Sequence, residues 1–236
     1  MEQRIDIGII GAMKIEVEAL CAAMEDKETT TVGGIEFVVG TLRGRRVVTA
    51  KCGIGKVFAA MCAQTMILAF APAVIVNTGV AGTLAPRLSI GQVALADRVV
   101  QHDMDTSPLG DPVGLISGIN QVYLPTDPAV TSALAVCIAT EGVTCLRGTV
   151  ASGDQFIHTT AQKQRITSTF EDTIACEMEG AAIGLVCYVN GTPCAILRAI
   201  SDGGDEQAAM DYPTFLAKAA DTATRVMLRF VESYEG

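Results

Sequence analysis

Three stretches of this chain set carboxylates among apolar neighbours, where a charge is costly unless it is used. In Ala195-Ile196-Leu197-Arg198-Ala199-Ile200-Ser201-Asp202-Gly203-Gly204, an extended backbone puts Arg198, Ile200 and Asp202 on one face and Leu197, Ala199 and Ser201 on the other. Burying an unpaired charge costs several kcal/mol, roughly, even after relaxation. These charges therefore read either as members of an intrachain ion pair or, for Asp202, as a site carboxyl at a strand end, followed by two glycines that free the loop. In Ile174-Ala175-Cys176-Glu177-Met178-Glu179-Gly180, two carboxylates interrupt a strand-to-helix junction. There they can cap helix amides or accept hydrogen bonds from a ribose diol. In Gly11-Ala12-Met13-Lys14-Ile15-Glu16-Val17-Glu18, the two glutamates stand roughly 200° apart on a helix, so one is expected to point inward. Paired carboxyls held in unlike surroundings are the usual means of general acid and base chemistry.

The elements that must position these groups follow from apolar periodicity. A buried strand is expected over 5–10 and a helix over about 15–24, with an antiparallel meander across 29–51. Further helices are expected over 56–70, 128–140, 160–170 and 179–190, and a last one from about Asp211. Strands are expected over 73–77, 92–101, 143–151, 173–177 and 194–201, and 104–125 is the loosest part. Strands alternating with helices imply a three-layer α/β/α fold with a central mixed, largely parallel sheet, in a single domain over 1–236. Ligands in such folds bind beyond the C-terminal strand ends. The expected tips are 11–16, 77–82, 152–157, 177–179 and 201–205.

Composition narrows the function. The 236 residues carry a formal net charge of −9, which disfavours nucleic acid and other phosphate-rich polyanions. Half of the residues are apolar and 18% are charged, a lean charge content that suggests surface covered by a second copy of the chain. The eight cysteines form no C-x-x-C pair and read as reduced core residues. With His102 and His158 as the only histidines, no metal site is expected. No cofactor is implied either: Cys52-Gly53-Ile54-Gly55-Lys56-Val57 has neither P-loop nor dinucleotide-binding spacing. Ser152 lacks the G-x-S-x-G context of a hydrolase triad. The N-terminus has no signal-peptide pattern and the longest apolar run, 66–76, is too short to span a bilayer, so the expectation is a soluble cytoplasmic protein with no membrane contact.

Six segments, taken in order, carry a resemblance. Ile7-Gly8-Ile9-Ile10-Gly11-Ala12-Met13 through Glu16, Gly53-Ile54-Gly55-Lys56-Val57 and Asn77-Thr78-Gly79-Val80-Ala81-Gly82 are three of them. Ser152-Gly153-Asp154-Gln155-Phe156-Ile157, Glu177-Met178-Glu179 and Arg198-Ala199-Ile200-Ser201-Asp202 complete the set. Together they resemble the 5′-methylthioadenosine/S-adenosylhomocysteine nucleosidases, a family of the nucleoside phosphorylase superfamily. The resemblance implies a nucleoside phosphorylase-like fold, hydrolysis of the N-glycosidic bond of an adenine nucleoside, a place in methionine salvage, and a homodimer with the pocket near its interface.

By the same resemblance, Asp202 is the acid that protonates adenine N7 and Glu16 the base that activates water. Glu179 grips the ribose hydroxyls and Met178 packs on the sugar. Phe156 stacks on the purine, Ile157 reads its edge through the backbone, and Gly82 makes a backbone contact. Arg198 orders the water and the carboxylates, and Ser201 belongs to the Asp202 segment. Met13, Ile54 and Tyr212 line the 5′-thioether end. Two departures accompany these matches. Val80 stands where many relatives carry a serine that helps hold the water, and the 106–117 loop lacks the aromatic pattern of the thioether mouth, leaving Leu109 to substitute there. A purine nucleoside phosphorylase and a non-catalytic nucleoside sensor are the alternatives. The first needs a cationic phosphate clamp where this chain has Asn77 and Val80.

Overall fold

The apolar run at the N-terminus becomes β1 (Ile7–Gly11), a strand buried along its whole length. In the computed structural model, which describes residues 4–235, it lies between two parallel neighbours, β4 (Arg45–Lys51) and β5 (Val74–Thr83). Between β1 and β4 the chain forms α1 (Lys14–Ala23) and the antiparallel strands β2 (Glu25–Val32) and β3 (Ile35–Leu42), the expected meander. Next come α2 (Lys56–Phe70), β6 (Val93–Gln101), the short β7 (Tyr123–Pro125), α3 (Pro128–Thr140) and β8 (Cys145–Ser152). The chain ends with α4 (Thr160–Thr169), β9 (Thr173–Glu177), α5 (Gly180–Asn190), β10 (Cys194–Asp202) and α6 (Ala208–Ser233).

The period-two alternation of buried strands builds two cores. Ile7 and Ile9 of β1, with Val74 and Val76 of β5, pack on the side of α1, α3 and α6 against Met227 and Phe230. Ile10 and Ile75 face the other way, onto Ala59, Cys62 and Met66 of α2 and Ile183 of α5. Helices on both faces of one mixed sheet make three layers. Parallel pairing joins β1 to β4 and β5, β5 to β10, and β8 to β6 and β9. Antiparallel pairing joins β10 to β6 and the meander strands to one another. Among the described residues, no helix is long and apolar enough to cross a membrane.

One part of the sheet differs from the sequence expectation. Residues 77–82 do not form a loop at a strand tip; they continue β5, which pairs with β10 from Ile75↔Cys194 to Gly82↔Asp202. The end of β5 then turns antiparallel to β9 through Gly82↔Cys176 and Thr83↔Ala175. Through β10, β6, β8 and β9 the ladder closes on itself. Glycines that look like turn signals in sequence here let a strand pass close beneath charged side chains. A Cβ on Gly79 would lie 2.5 Å from Glu16 Oε1 and closer still to the Arg198 guanidinium. The closure brings the ends of β1, β5, β8, β9 and β10 together, with Ser152↔Glu177 and Asp202↔Gly82 in register.

Gly79→Ala forces atoms into this packed layer without a cavity to accept them, and overpacking of this kind typically costs about 1–3 kcal/mol. Denaturant unfolding should show a loss of that size with an unchanged slope. Wild-type stability in the variant would mean that the layer is looser than its geometry.

Candidate functional site

The base of the site is Arg198, whose side chain on β10 is completely buried. Its Nη2 donates to Asn77 Oδ1 (2.5 Å) and to Glu177 Oε2, and lies 3.8 Å from Glu179 Oε2. Asn77 is itself fixed by donation from Nδ2 to the carbonyl of Ile10 (2.9 Å). Glu177 meets further donors: the amides of Glu179 (3.0 Å) and Gly180 (2.7 Å) bond Oε2, and the Ser152 hydroxyl bonds Oε1. Ser152 Oγ in turn accepts the Ala181 amide at 2.7 Å. The capping and ion-pair readings of Glu177 and Arg198 therefore both hold, with each other as partners. Asp202 is not the partner of Arg198. The β5–β10 register shifts between Ile200 and Asp202, and the bulge breaks the shared face expected of an unbroken strand.

Glu16 is the inward member of the α1 pair; it is buried while Glu18 is exposed. Its Oε2 accepts the amides of Ala12 (2.7 Å) and Met13 (2.9 Å), and its Oε1 accepts Val80 N (3.1 Å). A carboxylate offers about four acceptor positions. Three are taken by these amides, and one on Oε1 remains for a solvent or substrate donor. The Glu16 carboxyl lies above its ordinary range: burial is the largest cause, and the Arg198 charge and the three amides oppose the rise without cancelling it.

Asp202 has different neighbours. It is 2% exposed, accepts the Gly204 amide on Oδ1 (3.0 Å) and the Ser201 hydroxyl on Oδ2 (2.9 Å). Burial raises its carboxyl, those two bonds oppose the rise, and the charges of Asp211 and Asp205 add to it, while the Lys163 ammonium donates to the carbonyl of the neighbouring Gly203 (2.7 Å). Glu179, held by the Gly55 amide (2.9 Å), is pushed up to about 7 by burial and by Glu177, against the pull of Arg198. The first glycine-rich segment thus contributes a backbone donor to a carboxylate on the opposite side of the site.

Above this layer lies a cavity of about 300 Å³, the low end for a small-molecule site. Glu16, Asp202 and Glu179 face it with Ser201, Gly82 and Met178. Met13, Ile54 and Tyr212 line the same space with Phe156, and Tyr212 donates its hydroxyl to Met13 Sδ (3.2 Å). Phe156 is 43% exposed and meets Tyr212 edge-on, with ring centroids 5.6 Å apart. Ile157 lines a small adjoining recess of about 30 Å³ with Phe156, Met178 and Asp202. Of the twelve residues expected to be catalytic or to bind substrate, ten border the cavity, Ile157 borders the recess and Arg198 lies beneath both; Val80 and Glu177 also border the cavity.

Sequence reasoning missed Cys176, whose thiol is buried against Gly82 O (3.6 Å) and borders the cavity. It also missed the part played by Ser152 and Asn77. A polar residue inside an otherwise apolar strand was the available signal for both. No Lys, Arg or His borders the cavity. Among the described residues no cluster of three or more His, Cys, Asp or Glu side chains could hold a metal ion.

Comparison with known proteins agrees with the six-segment resemblance. Residues 6–232 match the family described as the phosphorylase superfamily. A 5′-methylthioadenosine/S-adenosylhomocysteine nucleosidase from Shewanella sediminis is 35% identical over 226 residues, covering 96% of this chain and 98% of that protein. Among solved structures, the 5′-methylthioadenosine/S-adenosylhomocysteine nucleosidase from Neisseria meningitidis, in complex with methylthio-immucillin-A, aligns with a TM-score of 0.93 at 33% identity, covering 97% of this chain and 99% of that one. The futalosine hydrolase of Helicobacter pylori aligns with a TM-score of 0.92 at 34% identity, covering 98% of each chain. The chain belongs to the phosphorylase superfamily and, within it, to the 5′-methylthioadenosine/S-adenosylhomocysteine nucleosidase family.

Proposed function

We propose that this chain hydrolyses the N-glycosidic bond of 5′-methylthioadenosine and S-adenosylhomocysteine, releasing adenine and the 5′-thioribose. One observation carries the reading: two buried carboxyls, Glu16 and Asp202, face one cavity in unlike surroundings, Glu16 with Arg198 and three amides, Asp202 with one amide, one hydroxyl and the charges of Asp205 and Asp211. Asp202, raised by burial and by the charges of Asp211 and Asp205, is the group that keeps its proton and donates it to adenine N7 as the C1′–N9 bond breaks. Glu16, steadied as an anion by Arg198 and three amides, takes a proton from the water whose oxygen bonds to C1′. A positioned acid or base of this kind contributes typically about 10²–10⁴-fold. The sugar gathers positive charge on the way, which the Glu16 carboxylate stabilises.

Substrate recognition divides along the cavity. Phe156 offers its face to the purine and Ile157 its backbone to the purine edge. Glu179 holds the ribose diol, Met178 packs on the sugar, and Gly82 contributes backbone contact. The soft, apolar surface of Met13 and Ile54, closed by Tyr212, suits a thioether. Val80, in place of the serine of many relatives, leaves only its amide for this region, and that amide is bound to Glu16. Such an enzyme serves methionine salvage and nucleoside catabolism in the cytoplasm, from one catalytic domain.

The uncovered apolar side chains of Val57, Phe58 and Met61 on α2, together with Ile54 at the cavity and Leu109 at 83% exposure, fit a homodimer that closes the 5′ end of the pocket. Light scattering at micromolar concentration should give twice the chain mass. A fully active monomer would remove the shared-pocket reading.

Phosphorolysis is the competing chemistry, and the cavity opposes it. A phosphate nucleophile needs neutralising donors, whereas the cavity border holds no cation and Glu16 adds negative charge. At an effective dielectric of about 20, a like-charge contact at about 4 Å costs on the order of 4 kcal/mol. Cleavage of methylthioadenosine should therefore yield free methylthioribose at a rate independent of phosphate. Methylthioribose 1-phosphate as product, or a rate that vanishes in phosphate-free buffer, would replace hydrolysis by phosphorolysis.

A further inference from the structure

Outside the carboxyl layer, a second polar cluster ties together three segments that reach the cavity from different parts of the chain. Lys56, the first residue of α2, turns its ammonium inward, where it donates to Asp103 Oδ1 (2.6 Å) and Gln101 Oε1 (3.1 Å) at the end of β6. The other oxygen of Asp103 accepts the backbone amide of Asp154 (2.8 Å). Asp154 closes the circuit, because its Oδ1 accepts the backbone amide of Lys56 (2.8 Å). This bond supplies α2 with the cap that its own N-cap residue, Gly55, cannot provide.

The circuit is partly buried. The Lys56 and Asp103 side chains keep 18% and 16% of their exposure. Burial raises the Asp103 carboxyl, but the Lys56 ammonium and the Asp154 amide outweigh it and hold the group below its ordinary range. Packing is close: a Cβ on Gly55 would lie 2.9 Å from Asp154 Oδ1, and Gly55 sits at φ +99°, a conformation that favours glycine.

What hangs from the circuit is the binding half of the cavity. Asp154 is two residues before Phe156 and three before Ile157. Gly55 is adjacent to Lys56, and its amide holds Glu179 Oε1. Ile54, at the thioether end, precedes Gly55. Glu16 and Asp202 belong to α1 and β10, outside the circuit.

We propose that Lys56 and Asp103 are positioning residues that set the purine-bearing loop 153–157 and the ribose-gripping Glu179 in mutual register, and so determine nucleoside affinity without taking part in proton transfer. The proposal rests on the nucleosidase reading for the identity of the ligand. It accounts for an inward lysine and aspartate that the acid–base chemistry leaves unused.

The test is steady-state kinetics on methylthioadenosine for Lys56→Met, Lys56→Arg and Asp103→Asn, with thermal unfolding of each. Arg147→Met, which removes a comparably close pair with Asp97 at a distance from the cavity, is the control. Lys56→Met and Asp103→Asn should raise KM by about 10-fold or more while kcat stays within about 3-fold. Lys56→Arg should recover most of the affinity, and Arg147→Met should leave both constants unchanged whatever its melting temperature. A wild-type KM in folded Asp103→Asn, or a fall in kcat at constant KM, would overturn the proposal. Should Lys56→Met fail to fold, Asp103→Asn and Lys56→Arg decide by the same criteria. Absence of cleavage by the wild-type chain would count instead against the nucleosidase reading.

Discussion

A single buried guanidinium sets the terms for the rest of the site. Arg198 lies within the influence of Glu16, Glu177 and Glu179, and no water-exposed surface shares the burden. Removing one partner of a buried pair typically costs about 3–5 kcal/mol, because the remaining charge is left uncompensated. The surroundings are shaped accordingly. Asn77 gives its amide oxygen to the guanidinium, Gly79 gives up a side chain to make room, and Glu177 is saturated by amides and a hydroxyl. A cluster with more carboxyls than cations cannot hold them all ionised at equal cost, and the imbalance appears at Glu179, which is raised to about 7.

That imbalance separates the two groups proposed to do the chemistry. Glu16 reaches Arg198 electrostatically and receives three amides, whereas Asp202 has one amide, one hydroxyl and the added charges of Asp205 and Asp211. The separation is a product of topology. β10 carries Arg198 into the carboxyl layer, and a bulge after Ile200 turns Asp202 away from it toward the small recess beside Ile157. Without the bulge, strict alternation would return Asp202 to the face of Arg198. The groups proposed to bind base and sugar come from separate segments that the closing of the sheet brings together.

Much of this was legible in the sequence. Apolar periodicity located the helices and most strands to within a few residues, since each buried face repeats in the chain, while the three-residue β7 lies in the stretch read as loosest. Carboxylates inside apolar runs pointed to the site because their burial needs a reason. Less legible was what depends on partners distant in sequence. The stretch from Asn77 to Gly82 reads as a glycine-bearing loop, and only its pairing with β10 and β9 shows that it is strand. Ser152 reads as a failed triad serine because its partners, Glu177 and the Ala181 amide, lie 25 and 29 residues away. The link from Asp103 to Asp154 crosses 51 residues and leaves no local pattern.

The central claim is that of the two carboxyls facing the cavity Glu16, held by Arg198 and three amides, is the ionised one and Asp202 the protonated one at neutral pH. Infrared difference spectra of the carboxyl C=O stretch, recorded for wild type, Asp202→Asn and Glu16→Gln, measure it directly. The account predicts that the wild type carries, beside the Glu179 contribution, a protonated-carboxyl component that is lost in Asp202→Asn and persists in Glu16→Gln. A band that survives Asp202→Asn unchanged, or one that Glu16→Gln removes, would contradict it.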